Sequence, residues 1–170
     1  MPSVPPGSPV TFASPAEIPK STAGVIAPPP LIYLVPLIGT LFLRHWYPVR
    51  IVGPHAAAPV GIACLLLGLA AHLSAVLTLR RAKTSPKPWL PTTAVVTAGP
   101  YRFTRNPIYV GFSLIYIGVG FWANTLWPFL VLPFILLVMQ FGVVAREEVY
   151  LQRIFGDQYL EYKRRVRRWL

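Results

Sequence analysis

Two short segments hold most of the side chains in this chain that could bind a small molecule. Residues 99–111 read GPYRFTRNPIYVG and bring tyrosine, arginine and asparagine to the start of an apolar stretch. Residues 146–169 begin REEVY and place Glu147 and Glu148 just after another apolar stretch. Ionisable groups are costly beside hydrocarbon, so their presence where apolar helices meet water indicates a functional site.

The first segment predicts a helix start that could hold an anion. Asn106 is a favourable N-cap and Pro107 a favourable first helical residue. The free backbone N–H groups of that first turn, with the side chains of Tyr101, Arg102 and Arg105, suit a carboxylate. Anchoring to a membrane surface explains the two arginines equally well.

The second segment could complete a pocket with the first. Glu147 and Glu148 are two of only five acidic residues in the chain. Ion pairing with nearby arginines at an interface is one explanation for them. If the intervening stretches form a hairpin, however, the glutamates face Arg105 and Asn106, and the pocket suits a zwitterion. One turn into the first helix, Tyr109 offers a hydroxyl and Gly111 permits close approach of a ligand or another helix.

Composition predicts an all-α integral membrane protein. Apolar residues make up 54% of the chain and charged residues only 12%, against about 25% charged in soluble domains. The 21 uncharged residues 59–79 would form a helix of about 30 Å, the hydrocarbon thickness of a bilayer. About four transmembrane helices are predicted, the last two joined in a tight hairpin around Asn124 and Thr125: 31–43 extending to 47, 59–79, 108–122 and 126–144.

The basic residues predict the orientation of these helices. The linker 80–106 has six Lys or Arg, the chain after residue 144 has seven, and the segment between the first two spans has two. The positive-inside rule then places the linker and both termini on the cytoplasmic side. The net charge of +11 is assigned to topology and anionic lipid, and not to nucleic acid.

Two further regions flank the predicted helices. Residues 1–30, rich in Pro, Ser and Ala, are predicted to be a disordered arm, and residues 31–170 to be one membrane domain. At the other end, apolar residues recur at helical spacing among basic residues: Tyr159, Tyr162, Val166, Trp169 and Leu170. That pattern predicts an amphipathic helix, which could either anchor the chain on the cytoplasmic leaflet or form a lid over the pocket.

Metal and disulfide chemistry are not expected. The single cysteine, Cys64, cannot form an intrachain disulfide, and His45, His55 and His72 do not have metal-ligand spacing. Only His72 falls inside a predicted span, where hydrogen bonding to a neighbouring helix is one explanation.

In combination, the two segments resemble the isoprenylcysteine carboxyl methyltransferase family, within the group that includes phospholipid N-methyltransferases. The family pattern G-P-Y-x-x-x-R-[NH]-P-x-Y-x-G, then E-E and F-G-x-x-Y-x-x-Y, is matched over about residues 83–170, the predicted catalytic region. The matching residues are Gly99, Pro100, Tyr101, Arg105, Asn106, Pro107, Tyr109, Gly111, Glu147, Glu148, Phe155, Gly156, Tyr159 and Tyr162. The resemblance implies S-adenosylmethionine near the cytoplasmic face and a lipophilic acceptor entering from the bilayer. Prenylcysteine enzymes often have His where this chain has Asn106, which leaves the acceptor open.

Methyl transfer from a sulfonium requires alignment of two substrates and exclusion of water, and it requires no metal. The sequence shows no evident general base, which favours an acceptor that is already an anion, a carboxylate or a thiolate. Glu147 or Glu148 is predicted to hold the cofactor's ammonium or ribose, and Arg105 its carboxylate. Arg153 or Arg102 is predicted to attract the acceptor.

Two other functions fit parts of the same sequence. A membrane reductase that uses a nicotinamide cofactor, related to sterol reductases, has a similar hairpin. The E-E pair and the N-P-x-Y-x-G sequence argue against a reductase. A membrane adaptor without catalytic activity is the other alternative, and binding of neither cofactor would identify it.

Overall fold

The computed structural model describes residues 10–12 and 22–170. Its described part is mainly helical, with two three-residue strands, one 3₁₀ turn and one π-helical turn. The helices are α1 (Pro29–Trp46), α2 (Pro54–Arg81), α3 (Pro107–Trp122), α4 (Trp127–Met139), α5 (Ala145–Phe155) and α6 (Asp157–Arg165). The other elements are β1 (Val10–Phe12), β2 (Ala94–Val96), the 3₁₀ turn Gly99–Arg102 and the π turn Gln140–Val144.

Two helical rods are long and apolar enough to cross a membrane. They are His55–Arg81 and Trp127–Phe155, the second made of α4, the π turn and α5 in continuous succession. The α3 helix is apolar but shorter. Large apolar side chains such as Leu66, Leu67 and Phe134 are exposed on the two rods, which is typical of surfaces that face lipid. The all-α membrane class is thus supported, while the number of four spans stays a prediction.

The predicted hairpin is present between α3 and α4. Asn124 adopts a positive φ of 46° in the turn, a conformation that asparagine tolerates better than most residues. Its side chain accepts hydrogen bonds from the backbone N–H groups of Ile51 and Val52, at 3.1 and 3.3 Å, and donates to the Val52 carbonyl at 3.0 Å. The hairpin turn is therefore fastened to the α1–α2 loop.

Glycines hold α2 and α3 in backbone contact. A Cβ atom at Gly68 would lie 2.8 Å from the Ile115 nitrogen, and one at Gly111 would lie 2.9 Å from the Gly68 carbonyl oxygen. Gly61 and Gly118 make similar approaches along the same interface. Such small-residue contacts let membrane helices approach closely, and here they fix the start of α3, where the candidate site begins.

Both flanking regions make contacts with the rest of the protein that the sequence did not predict. Residues 1–9 and 13–21 of the arm predicted to be disordered lie outside the described residues, but β1 pairs antiparallel with β2, Val10 opposite Val96. Residues 22–28 contact the rod formed by α4 and α5. On α6, Tyr159 and Tyr162 are buried inside the protein, so its apolar face is not available to lie on a leaflet.

Candidate functional site

A cavity lies where the start of α3 meets α5 and α6. Five of the eight tyrosines of the chain line it, together with two prolines of the linker and all three residues of β2. The tyrosines are Tyr101, Tyr109, Tyr150, Tyr159 and Tyr162, and the charged or amide residues are Lys87, Arg105, Asn106, Glu147 and Glu148. The hairpin thus brings the two sequence segments together as predicted.

Glu148 is surrounded by cations. Its carboxylate accepts two hydrogen bonds from Arg168, at 2.8 and 2.6 Å, and pairs with Arg105 at 3.0 Å and Lys163 at 3.5 Å. The Glu148 side chain is only 7% exposed. This buried carboxylate joins the first motif to α6 and the chain that follows it. Removing it would leave the cations without their counter-charge.

Arg168 belongs to residues 167–169, which we term the tail clasp. This segment lies across the first motif. The Arg105 amide donates to the Arg167 carbonyl at 2.9 Å, and the Asn106 side chain donates to the Arg168 carbonyl at 2.8 Å. Trp169 Nε1 donates to Gln140 Oε1 at 2.9 Å. The α3 helix does begin at Pro107, as predicted. The Asn106 side chain, however, binds the tail clasp and does not cap the helix.

Glu147 has a different environment. Its carboxylate accepts a hydrogen bond of 2.7 Å from the Tyr109 hydroxyl. Within the described chain, no Lys, Arg or His forms an ion pair with it. A half-buried carboxylate on a tyrosine-lined cavity without a cation is an energetically poor arrangement, which a positively charged ligand would relieve.

Three tyrosines of the cavity, Tyr101, Tyr159 and Tyr162, act as neutral groups. Burial raises the pKa of Tyr159 to about 12, with the negative charge of Glu148 adding to the effect. Burial also raises the pKa of Tyr101 and of Tyr162. The Tyr162 hydroxyl donates to the Tyr101 carbonyl at 2.7 Å. These rings therefore offer apolar faces and protonated hydroxyls, and they cannot serve as bases near neutral pH.

Arg105 separates this cavity from a second one. The second is an apolar groove between α3 and α4, lined by Leu114, Ile117, Leu136 and Leu137 and bordered by Trp169. Arg105 lines both spaces. Its Nε is buried and makes no hydrogen bond within the described chain. A buried donor without a partner at this boundary suits an anion.

Some predicted site residues lie elsewhere. Arg102 is exposed and stacks over the Phe103 ring at 4.5 Å, and Arg153 is exposed beside a separate surface cleft. Arg153 follows Glu147 by six residues, a rotation of about 120° around the helix, so it points away from the cavity. Gly111 contacts α2 and does not line the cavity, whereas Pro107 does line it.

Sequence reasoning missed several lining residues. Tyr150 follows the glutamate pair by one turn, a spacing that could have indicated it. Pro86 and Pro88 of the linker also line the cavity. Their position in a loop near the first motif indicated this less strongly than the spacing indicated Tyr150. Arg168 gave none, because it is one of several basic residues in the tail. Among the described residues, no group of His, Cys, Asp and Glu has the size of a metal site.

The fold and the cavity define a helical membrane protein with a ligand site at one end of a hairpin. The chain belongs to the phospholipid methyltransferase family, whose model matches residues 57–158. This range starts in α2, earlier than the sequence motifs indicated. It confirms the methyltransferase resemblance, together with the relatives described next.

Three relatives illustrate the match. An uncharacterised protein of Haemophilus influenzae is 45% identical over 64 residues, 37% of this chain and all of that protein. Human protein-S-isoprenylcysteine O-methyltransferase is 36% identical over 77 residues, 44% of this chain and 26% of the enzyme. Methanethiol S-methyltransferase 1 of Bradyrhizobium diazoefficiens is 38% identical over 68 residues, 39% of this chain and 22% of the enzyme. The chain thus spans about a quarter of these two enzymes, and no solved structure matches it.

Proposed function

We propose that this protein transfers a methyl group from S-adenosylmethionine to a lipophilic carboxylate or thiol at a membrane face. The observation that carries the proposal is the Glu147 carboxylate, which lacks a cation partner within the described chain and lines a cavity of five tyrosines. Such a cavity favours a cation by charge and by the faces of the rings. S-adenosylmethionine carries a sulfonium and an ammonium, and it therefore fits this donor set.

The cofactor, when bound, supplies an electrophilic methyl group that an anionic nucleophile can accept without a metal. Glu147 holds its positively charged end, and the hydrogen bond from Tyr109 fixes the direction of the carboxylate. The buried tyrosines exclude water from the cavity. Arg105 presents its unpartnered Nε–H to an anion at the boundary. The sequence suggested Arg105 for the cofactor's carboxylate. We instead assign to it the attraction of the acceptor, which the sequence suggested for Arg153 or Arg102.

The apolar groove provides a place for the lipophilic part of the acceptor. It runs between α3 and α4, and its polar end is formed by Arg105, Arg168 and Gln140. A hydrocarbon chain in this groove would remain in apolar surroundings while its head group reached Arg105. A prenylated carboxylate or a long-chain thiol matches that division, as does the isoprenylcysteine in the name of the human relative.

The membrane arrangement is part of the proposal. The cavity is built by the linker, the start of α3 and the chain after residue 144, which together hold most of the basic residues. Four spans, with both termini and the cavity on the cytoplasmic side, satisfy the positive-inside rule. Cysteines introduced at Ser85 and Asp157, with Cys64 replaced by Ala, should both react with an impermeant reagent from that side only.

Calorimetry on the detergent-purified protein tests the cofactor, with S-adenosylmethionine and NADPH as separate titrants. We expect binding of S-adenosylmethionine alone. Binding of NADPH alone would identify a reductase, and binding of neither would favour an adaptor. Activity is then measured in lipid nanodiscs with radiolabelled S-adenosylmethionine and three acceptors: a prenylated cysteine, a long-chain thiol and phosphatidylethanolamine. Label confined to phosphatidylethanolamine would contradict an anionic acceptor.

A further inference from the structure

The described part of the N-terminal arm lies against the cavity. Ala23 lines the cavity and packs against the cluster of buried residues that includes Val95 and Tyr150. β1 adds a strand to β2, whose three residues line the same cavity and are fully buried. Residues outside the two sequence motifs therefore form part of its wall.

Residues 22–27, here called the arm strap, are fastened at two points. The Gly24 carbonyl accepts a hydrogen bond of 2.9 Å from Arg146 Nη1, and the Ile26 N–H donates to the Gly142 carbonyl at 3.2 Å. Gly142 belongs to the π turn, a local irregularity often found at functional sites. The strap thus joins the helical rod directly before the glutamate pair.

At the second attachment, the side chain of Ile26 occupies the space that a side chain at residue 142 would fill. A Cβ atom at residue 142 would lie 2.3 Å from Cδ1 and 2.8 Å from Cγ1 of Ile26, and its three nearest neighbours within 4 Å all belong to Ile26. The strap itself has no charged side chain. It therefore cannot hold a charged ligand by ion pairing, and its contribution to a site is to cover it.

We propose that the arm strap is a wall of the cofactor cavity and slows release of the bound methyl donor. The inference rests on the proposed function. Where the strap is docked, Ala23 covers the side of the cavity next to Tyr150. A ligand leaving on this side must wait for the strap to separate from α5. Glu147 determines which ligand binds, and the strap determines how long it stays.

The test exchanges side-chain volume between two positions. Gly142→Val adds three carbons that collide with Ile26, and Ile26→Ala removes three, so the double variant restores the space. Two measurements are made on the full-length protein in detergent: hydrogen exchange at the Ile26 amide, which needs no ligand, and the dissociation rate of radiolabelled S-adenosylmethionine. Ile26→Ala alone is the matched control, because it keeps both backbone attachments.

We expect Gly142→Val to accelerate both exchange at Ile26 and cofactor dissociation, each by on the order of tenfold. The double variant should return both rates toward those of the native protein, which a general loss of folding would not do. Faster exchange with unchanged dissociation would overturn the proposal and leave the proposed function intact. Absence of S-adenosylmethionine binding by the native protein would instead remove the proposed function, and this inference with it.

Discussion

The two adjacent glutamates of α5 have opposite surroundings. Glu148 lies among Arg105, Lys163 and Arg168 and joins the tail clasp to the first motif. Glu147 accepts one hydrogen bond from Tyr109 and faces the cavity. Successive helical residues are rotated by about 100°, so neighbours in the sequence can belong to different environments. One carboxylate of the pair therefore stabilises the site, while the other has no cation partner among the described residues.

Removing the charge of Glu148 should produce the largest change in stability. Glu148→Gln leaves Arg105, whose side chain is 9% exposed, without its buried counter-charge, and breaking such a pair costs about 3–5 kcal/mol. We expect a clearly lower unfolding temperature in detergent, and faster proteolysis at the tail clasp. Glu161→Gln, at an exposed residue paired with Arg165, is the matched control and should change neither. Native stability with reduced cofactor affinity would instead make Glu148 a ligand.

Removing the charge of Glu147 should alter binding and spare the fold. Glu147→Gln keeps the shape of the side chain but removes the negative charge that a cationic ligand requires. Loss of a charged hydrogen bond costs about 1.5–3 kcal/mol of binding free energy. The dissociation constant should therefore rise roughly 10- to 150-fold. Calorimetry with S-adenosylmethionine measures the constant, and thermal unfolding measures the fold. Equal affinities of the variant and the native protein would remove Glu147 from the site.

The smallest effect is expected at the partner of Glu147. Tyr109→Phe deletes the hydroxyl that donates to the Glu147 carboxylate and leaves the ring in place. The loss of a positioning hydrogen bond of about 1 kcal/mol should weaken cofactor binding about fivefold. The same calorimetric titration checks it. If Glu147 and Tyr109 act together, the double variant Glu147→Gln, Tyr109→Phe should bind little worse than Glu147→Gln alone.

Local sequence signals predicted much of this arrangement. The start of α3 at Pro107 and the hairpin at Asn124 both follow from backbone preferences of single residues, and the meeting of the two motifs follows from the hairpin. The split between Glu147 and Glu148 could not be predicted, because it depends on where the tail passes. Arg168 reaches Glu148 only through the fold, and the basic residues around it in the sequence look alike.

The arm shows a second limit of sequence reasoning. Its composition resembles that of disordered segments, yet residues 22–27 dock through backbone groups and the space left by Gly142. Neither a carbonyl acceptor nor a missing side chain on a distant helix leaves a pattern in the arm itself. Likewise, Arg153 was predicted to attract the acceptor, but its position around the helix places it at a separate cleft and not at the cavity.

The backbone contact between α2 and α3 has a consequence for mutational scanning. Gly111 belongs to the first motif, but a side chain there would strike Gly68 and His72 of α2. A screen that scores activity alone would therefore group Gly111 with residues that touch the ligand. Screening for protein abundance in parallel would separate the two, because variants at Gly61, Gly68, Gly111 and Gly118 would be lost before the chemistry was tested.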